Sequence, residues 1–224
     1  TGGSAGPLLE EIDRLRFPAT ESSPSVPEAR ALDHRPDRSD WAEGVETLLG
    51  AIGSTDLEKA VLARESRLTF ARAPDPSAVL RRLRSRTPRC FHFLFQPEEG
   101  SAFLGASPER LFRRADRSIQ SEAVAGTRAR GRTSEEDEHL REELLASAKD
   151  RAEHYYVRRH LDRAATRLCE RYELEDDPMV MSLATKHHLL SHLSGRLRPE
   201  TDDAHLLEGH HPTPAVAGVP THSA

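Results

Sequence analysis

The amino-acid sequence predicts an α+β fold, in which a mainly antiparallel sheet is flanked by helices. Two observations support this class. Short β-like segments separated by polar turns occupy residues 60–124 and 179–193. Between them, from Ser134 to about Tyr172, apolar residues recur at helical spacing. Strands grouped before and after a helical block indicate an α+β class rather than a doubly wound sheet.

The first third of the chain contains a connecting segment, a helix and the start of the sheet. Residues 1–40 are rich in Pro, Ser and charge, so we expect a poorly structured N-terminal segment there. Apolar residues from Trp41 to Ile52 have helical spacing, and Gly53 with Ser54 supplies a stop. A strand is predicted to follow over residues 60–69.

The middle and the end of the chain carry the other predicted elements. A hairpin over residues 91–104 turns at the sequence PEEG. Further strands are predicted at 110–112, 118–124, 179–183 and 188–193. Ser134 followed by Asp137 resembles a capping box and predicts the start of the helical block, which forms one long helix or two with a short break.

Composition restricts the classes of protein that this chain can represent. It has 224 residues, of which 36% are hydrophobic and 31% charged. We expect neither a membrane span nor a signal peptide, and therefore the cytoplasm. The arginines alternate with acids and the formal net charge is -5, so no nucleic-acid partner is expected. Two distant cysteines suggest neither a disulfide framework nor a thiolate zinc site.

Two side chains have local surroundings suited to acid–base chemistry. Lys59 precedes the apolar sequence AVLA, where partial desolvation would lower its pKa and let it act as a general base. Glu109 follows Pro108 at the end of the predicted hairpin, where burial would let it act as an acid. The alternatives are a solvated lysine and a surface turn.

Two further segments could bind charged ligands. Glu153 lies on the predicted helix four residues after Lys149, which is the spacing of a salt bridge. The alternative is that the Glu153 carboxylate binds a hard cation. Gly126 and Thr127 can offer backbone N–H groups and a hydroxyl to a carboxylate, or form a plain turn. The histidines lack the partners of a zinc motif and favour a core or loop role.

Five segments in order resemble the chorismate-utilising enzymes, and within them the isochorismate synthases. They are EKAVLARE (58–65), GASPERLF (105–112), EAVAGTRARG (122–131), LLASAKDRAEH (144–154) and HPTPAVAGVP (211–220). The resemblance covers about residues 41–224 and implies a partial chorismate-binding domain there. Family members continue beyond HPTPA, so we expect a chain truncated at both ends.

The resemblance implies a role for each of eight residues. Lys59 would activate water as the base, Glu109 would protonate the departing hydroxyl, and Glu153 would bind Mg²⁺. Anthranilate synthases usually carry glutamine at the position of Lys59, which favours water as the nucleophile. The substrate-binding residues implied are Gly126, Thr127, His188, Ala215 and Val216.

The implied reaction is the Mg²⁺-dependent isomerisation of chorismate, with water added at C2 and the C4 hydroxyl lost. A salicylate synthase, which then eliminates pyruvate, and an inactive chorismate-binding fragment are the alternatives. The sequence leaves open the oligomeric state and whether the pathway leads to menaquinone, a siderophore or salicylate.

Overall fold

The computed structural model describes residues 26–223, and within them the chain forms eleven strands and five helices. The strands are β1 (Ala29–Arg35), β2 (Lys59–Ala60), β3 (Glu65–Phe70), β4 (Phe91–Glu98), β5 (Ser101–Ser107), β6 (Arg113–Ala115), β7 (Ser118–Ala129), β8 (Cys169–Leu174), β9 (Met179–Ser182), β10 (Lys186–Leu197) and β11 (Gly218–Val219). The helices are α1 (Arg38–Ser54), α2 (Pro76–Arg86), α3 (Ser134–Ala146), α4 (Ala148–Leu168) and α5 (Asp203–His210). None of these helices is both long enough and apolar enough to cross a membrane.

A five-stranded antiparallel sheet forms the centre of the described chain. Its order is β6-β7-β10-β8, and β9 pairs with the free end of β10 beside β8. The two central strands are 12 residues long each, which makes their pairing the most extensive in the fold. The mainly antiparallel α+β prediction is therefore confirmed.

A β-bulge interrupts the pairing of β7 with β10. His188 pairs with Thr127 and Leu189 pairs with Ala125, so Gly126 has no partner across the ladder. Gly126 has a φ of 75°, a left-handed conformation that side chains with a Cβ rarely adopt. A Cβ there would also lie 3.0 Å from the Cβ of Asp150 in α4, so the strand approaches the helix closely at this point.

Helix α4 packs across the sheet through one buried stripe. Its buried positions recur every three or four residues, as expected for one face of a helix: Asp150, His154, Val157, Leu161, Ala164 and Ala165. Val157, Leu161 and Ala165 share one hydrophobic cluster with buried apolar side chains of β7 and β10, including Ile119 and Leu193. The first two positions are polar, and they lie at the end of the helix that is nearest to Gly126.

Three two-stranded sheets complete the fold: β1 with β3, β2 with β11, and β4 with β5. The β4–β5 hairpin confirms the prediction around PEEG and carries exposed aromatic residues, among them Phe95 and Phe103. Helix α2, which was not predicted, packs on this hairpin. The β2–β11 pair joins residues more than 150 positions apart, since Val219 pairs with Lys59.

The N-terminal prediction is partly wrong. Residues 1–25 of the segment expected to be poorly structured lie outside the described residues. From Ala29, however, β1 pairs with β3, and α1 begins at Arg38 after an Asp37 cap that accepts from the Ser39 and Asp40 N–H groups. This segment is ordered because β1 has a long-range partner in β3 and because Asp37 caps the start of α1. The domain boundary at residue 40 stays a prediction.

Other boundaries also differ from those predicted. The strand over 60–69 divides into β2 and β3 because the two parts pair with different partners, β11 and β1. No strand forms at 110–112, where the Leu111 carbonyl accepts instead from Ser121 Oγ at 2.6 Å. The helical block breaks at Ser147 and ends at Leu168. Its N-cap is Thr133, which accepts from Glu136, rather than Ser134.

Replacing Leu161 by alanine should destabilise the fold strongly. Leu161 is 1% exposed at the contact of α4 with the sheet, and a buried Leu→Ala change costs about 2–5 kcal/mol. Urea unfolding measures the loss. The control Leu207→Ala removes a leucine that is 52% exposed in α5 and should change the free energy of unfolding by less than about 0.5 kcal/mol. Equal losses in the two variants would contradict the assignment of this core.

Candidate active site

Lys59 is held between two distant parts of the chain. Its strand pairs with β11, and its Nζ donates a hydrogen bond to the Pro214 carbonyl. The ammonium group is half-buried, and this burial lowers the pKa of Lys59, while the charge of Glu153 opposes the shift. Lys59 is thus partly desolvated, as predicted, and lies near the carboxylate of Glu153.

Lys59 and Glu153 line one cavity of about 610 Å³. Apolar side chains of α1, including Trp41 and Leu48, form one wall, and α4 forms another. Three further side chains with polar atoms or charge line it: Glu58, Lys149 and Tyr156. A volume of this size accommodates a small organic molecule, and the mixed lining suits a ring that bears carboxylates.

Glu153 is the carboxylate that α4 directs at this cavity. Its side chain is 36% exposed, and its Oε2 lies 3.9 Å from Lys149 Nζ, so the predicted i,i+4 pair is also present. Among residues 26–223, no three His, Cys, Asp or Glu side chains are grouped as metal ligands. Mg²⁺ usually takes one or two carboxylates and completes its shell with water and substrate oxygens. A partly exposed carboxylate beside an open cavity fits that mode of binding.

Glu109 lines a different cavity, of about 490 Å³, together with Phe91 and Arg110. Burial raises the pKa of Glu109 to about 7, and the nearby charge of Glu122 adds to the shift. Arg110 does not relieve this, because its Nη1 pairs with Glu122 at 3.1 Å. The structure therefore places the proposed acid and the proposed base on separate cavities, and Glu109 is protonated for part of the time near neutrality.

Gly126, Thr127 and His188 come together at the β-bulge. The Nδ1 of His188 lies 3.1 Å from Thr127 Oγ1 and 3.1 Å from the Gly126 carbonyl. Burial lowers the pKa of His188, with a smaller opposing effect from the bond to Gly126. The Thr127 side chain is exposed, so it can reach a ligand from this position.

A buried ion pair connects the bulge to the start of α4. Asp150 is 1% exposed, and its Oδ2 lies 2.8 Å from Arg128 Nη1. Burial acts to raise the pKa of Asp150, but Ser147 Oγ, Arg128 and Lys149 outweigh it, so the pKa is lowered. The carboxylate therefore stays ionised and holds Arg128, whose Nη1 also donates to the Thr127 carbonyl at 3.1 Å.

The loop after α5 reaches the site through its backbone. Ala215 packs against the hydrophobic core and Val216 is 61% exposed, so neither side chain lines the cavity of Lys59. The contact is made by the Pro214 carbonyl. For these two residues the substrate role stays a prediction.

Sequence reasoning missed several groups near the predicted residues. Tyr156 lies three residues after Glu153 and Glu58 precedes Lys59, so both could have been found from helical spacing or adjacency. Burial raises the pKa of Tyr156, and the charge of Glu58 contributes. The helical spacing predicted the apolar face of α1, but its place on this cavity and the contact of the Pro214 carbonyl are long-range and carry no local signal in the sequence.

Together, the half-buried lysine, the glutamic acid with a pKa near neutrality and the lined cavity define a candidate acid–base enzyme for a small molecule. The sequence profile of the family described as "Chorismate binding enzyme" matches residues 5–224. The chain belongs to this family, which confirms the resemblance.

The similar proteins include isochorismate synthases of plants and bacteria. The chloroplastic isochorismate synthase of Catharanthus roseus is 37% identical over 191 residues, which are 84% of this chain and 33% of that protein. The salicylate biosynthesis isochorismate synthase of Pseudomonas aeruginosa is 36% identical over 94% of this chain and 44% of its own length. The chain thus spans between a third and a half of these relatives.

Solved structures share the fold. The menaquinone-specific isochorismate synthase of Escherichia coli superposes with a TM-score of 0.85 at 30% identity, over 98% of this chain and 50% of that one. A putative 2,3-dihydroxybenzoate-specific isochorismate synthase of Bacillus anthracis gives a TM-score of 0.81 at 31% identity. It covers 87% of this chain and 53% of its own.

Glu109 should titrate near pH 7, which carboxyl carbon NMR measures directly. Because its folded pKa lies above the ordinary value of 4.5, the folded state binds the extra proton between about pH 4.5 and 7. Its contribution to stability is present below pH 4.5 and is lost as the pH rises through 7, on the order of 3 kcal/mol. Glu109→Gln should remove this part of the pH dependence. An ordinary carboxyl titration for Glu109 would contradict the assignment.

Proposed function

We propose that this protein converts chorismate to isochorismate. The observation that carries the proposal is a lysine of lowered pKa and a carboxylate, Lys59 and Glu153, on one cavity large enough for the substrate. Membership of the chorismate binding enzyme family and the names of the similar proteins support this choice of substrate and reaction.

In this reaction a water oxygen forms a bond to C2 of the ring while the C4–O bond breaks. The ring double bonds shift between these carbons, and the number of water molecules does not change overall. Lys59 is proposed to take the proton from the attacking water, because its neutral form is favoured by burial. Glu109 is proposed to give a proton to the departing hydroxyl, which leaves as water.

Glu109 is suited to the acid role by its protonation state. A carboxyl group of pKa about 7 retains its proton for part of the time at neutral pH, and gives it up readily to a leaving hydroxyl. Burial favours the uncharged form of both groups, which is the form in which a base accepts a proton and an acid donates one, and the two groups line separate cavities.

Glu153 is proposed to hold Mg²⁺, with water and the substrate as its other ligands. When bound, the metal would supply positive charge to a substrate carboxylate. Glu153 suits this role as a partly exposed carboxylate on the wall of the cavity. Lys149 Nζ lies 3.9 Å from the same carboxylate.

Gly126, Thr127 and His188 are proposed to bind a substrate carboxylate or hydroxyl. The bulge turns the strand so that the Thr127 side chain is exposed, and His188 contacts it from the neighbouring strand. Both are uncharged donors or acceptors whose orientation is set by strand pairing.

Lys59→Gln should abolish most of the turnover of chorismate. The glutamine side chain is one atom shorter and keeps a polar end, but it cannot take a proton, and losing a general base costs roughly 10²–10⁴-fold in rate. The measurement is incubation with chorismate and Mg²⁺, followed by chromatography against isochorismate and salicylate standards. Lys186→Gln, at an exposed lysine of β10, is the matched control and should retain activity.

The products of this assay distinguish the candidate functions. Isochorismate alone supports the proposal, whereas salicylate with pyruvate would identify a salicylate synthase. Undiminished turnover by Lys59→Gln would remove the lysine from the mechanism. Binding of chorismate without any product would identify a binding protein.

Glu153→Gln should weaken the binding of Mg²⁺ by about tenfold or more, because the amide lacks the charge that attracts a hard cation. Isothermal titration with Mg²⁺ alone measures this without reference to turnover. Glu143→Gln, on the exposed face of α3, is the control and should bind Mg²⁺ as the unchanged protein does. Equal affinity in the two variants would place the metal elsewhere.

A further inference from the structure

A hydrogen-bonded network of Arg130, Asp137, Ser182 and His187 lies outside both cavities. His187 is 0% exposed, and both of its ring nitrogens are bonded. Its Nε2 lies 2.9 Å from Asp137 Oδ1, and its Nδ1 lies 2.9 Å from Ser182 Oγ. A polar side chain buried this completely is costly unless it is fully bonded, so the network requires an explanation.

Asp137 is the centre of this network and accepts from four donors. Arg130 donates through Nε at 2.7 Å and Nη2 at 2.8 Å, and the Gly131 N–H donates at 2.8 Å. His187 is the fourth donor. The hydrogen bonds from Arg130, which have the largest effect, hold the pKa of Asp137 well below its usual range. Asp137 is therefore always an acceptor, and Nε2 of His187 must carry a proton.

The direction of the remaining bonds follows from this. With Nε2 donating to Asp137, Nδ1 can accept a hydrogen bond from the Ser182 hydroxyl. Ser182 Oγ can then accept from Arg141 Nη1, which lies at 3.4 Å. The bonds form one directed chain across four elements of the fold.

The order Ser182, His187, Asp137 is that of a nucleophile relay, but its electrostatics are unsuited to one. A relay aspartate stabilises the imidazolium that forms when serine loses its proton. Here the charge of Asp137 is already neutralised by the paired guanidinium of Arg130. Ser182 also lines neither cavity of the candidate site. A structural role in the site is the better explanation.

The network surrounds the turn that leads into β10. Arg130 Nη1 donates to the Leu183 carbonyl at 2.7 Å, and the Arg130 N–H donates to the Thr185 carbonyl at 3.2 Å. The turn itself is closed by the Leu183 N–H and the Lys186 carbonyl at 2.8 Å. The end of β7, the first turn of α3 and the turn from β9 to β10 are thereby fastened to one carboxylate.

His188 follows His187 directly, and the side chains of successive strand residues point to opposite faces. Fixing His187 from one face therefore fixes where His188 stands on the other, opposite Thr127. We infer that Asp137 and His187 are positioning residues, which hold His188 and Thr127 in place to bind the substrate. This inference rests on the proposed function for the binding role of His188 and Thr127 and for the identity of the substrate.

His187→Gln tests the inference, because glutamine can still donate to Asp137 but cannot bridge to Ser182. The backbone amides of residues 183–188 should exchange with solvent about tenfold faster or more, since a broken buried bond loosens the turn locally. The His188 ring should also become more accessible, so its pKa, followed by NMR, should rise toward the ordinary value for histidine.

The control is His192→Gln on the same strand, where Nδ1 lies 3.1 Å from Glu175 at an exposed site. It should leave both readouts unchanged. Ser182→Ala removes one bond of the same network without a change in bulk and should show the pattern more weakly. If His187→Gln proves unfolded by circular dichroism, Ser182→Ala decides.

Two results would overturn the inference. One is an unchanged His188 pKa and unchanged exchange over residues 183–188. The other is uniformly faster exchange across β7 and β10, which marks general destabilisation. Both readouts use the ligand-free protein, so they stand if the proposed function fails. Where chorismate is turned over, KM should rise about tenfold in His187→Gln while kcat changes little, as expected for lost binding alone.

Discussion

The pairing of β7 with β10 is the interaction on which the rest of the described structure depends. Nearly every residue of the two strands has a partner, and the register changes only at Gly126. That bulge aims Thr127 outward and brings the strand against Asp150 of α4. The stripe of α4 then determines where Glu153 stands, since one helical turn separates it from Asp150. The sheet register thereby relates the proposed carboxylate site to the proposed metal ligand.

Burial shifts the pKa values of the two candidate acid–base groups in opposite directions, and both shifts favour the uncharged form. It lowers the pKa of Lys59 and raises that of Glu109, because a charge is less stable away from water in either case. The neighbouring charges have different effects on these two pKa values. Glu153 partly restores the charged form of Lys59, whereas Glu122 further disfavours the charged form of Glu109. Glu109 accordingly has the larger shift, and the fold supplies an acid more completely than it supplies a base.

Local patterns predicted most of the elements, and long-range pairing accounts for most of the misses. The β4–β5 hairpin and the helical block were predicted because their signals lie within neighbouring residues. Strand β1 was missed because it lies in a segment rich in charge. The strand that stabilises it, β3, lies some 30 residues further along the chain. Helix α5 was missed although Asp202 caps it, because its apolar positions are few. In the site, Lys59 and Glu153 were identified by motif, but the hydrogen bond of Lys59 to the Pro214 carbonyl had no local signal, because the two residues are far apart in the sequence.

Lys59, the candidate base, is held in place by fewer backbone hydrogen bonds than the other groups of the site. Thr127, His188 and Glu153 belong to the five-stranded sheet and to a 21-residue helix. Lys59 is held by the two-residue pair β2–β11, by the Glu58 N–H bond to the Val219 carbonyl at 2.7 Å, and by Pro214. Few bonds close a loop of this length, so opening β2–β11 costs far less than unfolding the sheet. The position of Lys59 can therefore change independently of the core, and ligand binding in the cavity beside it would stabilise the closed pair by mass action.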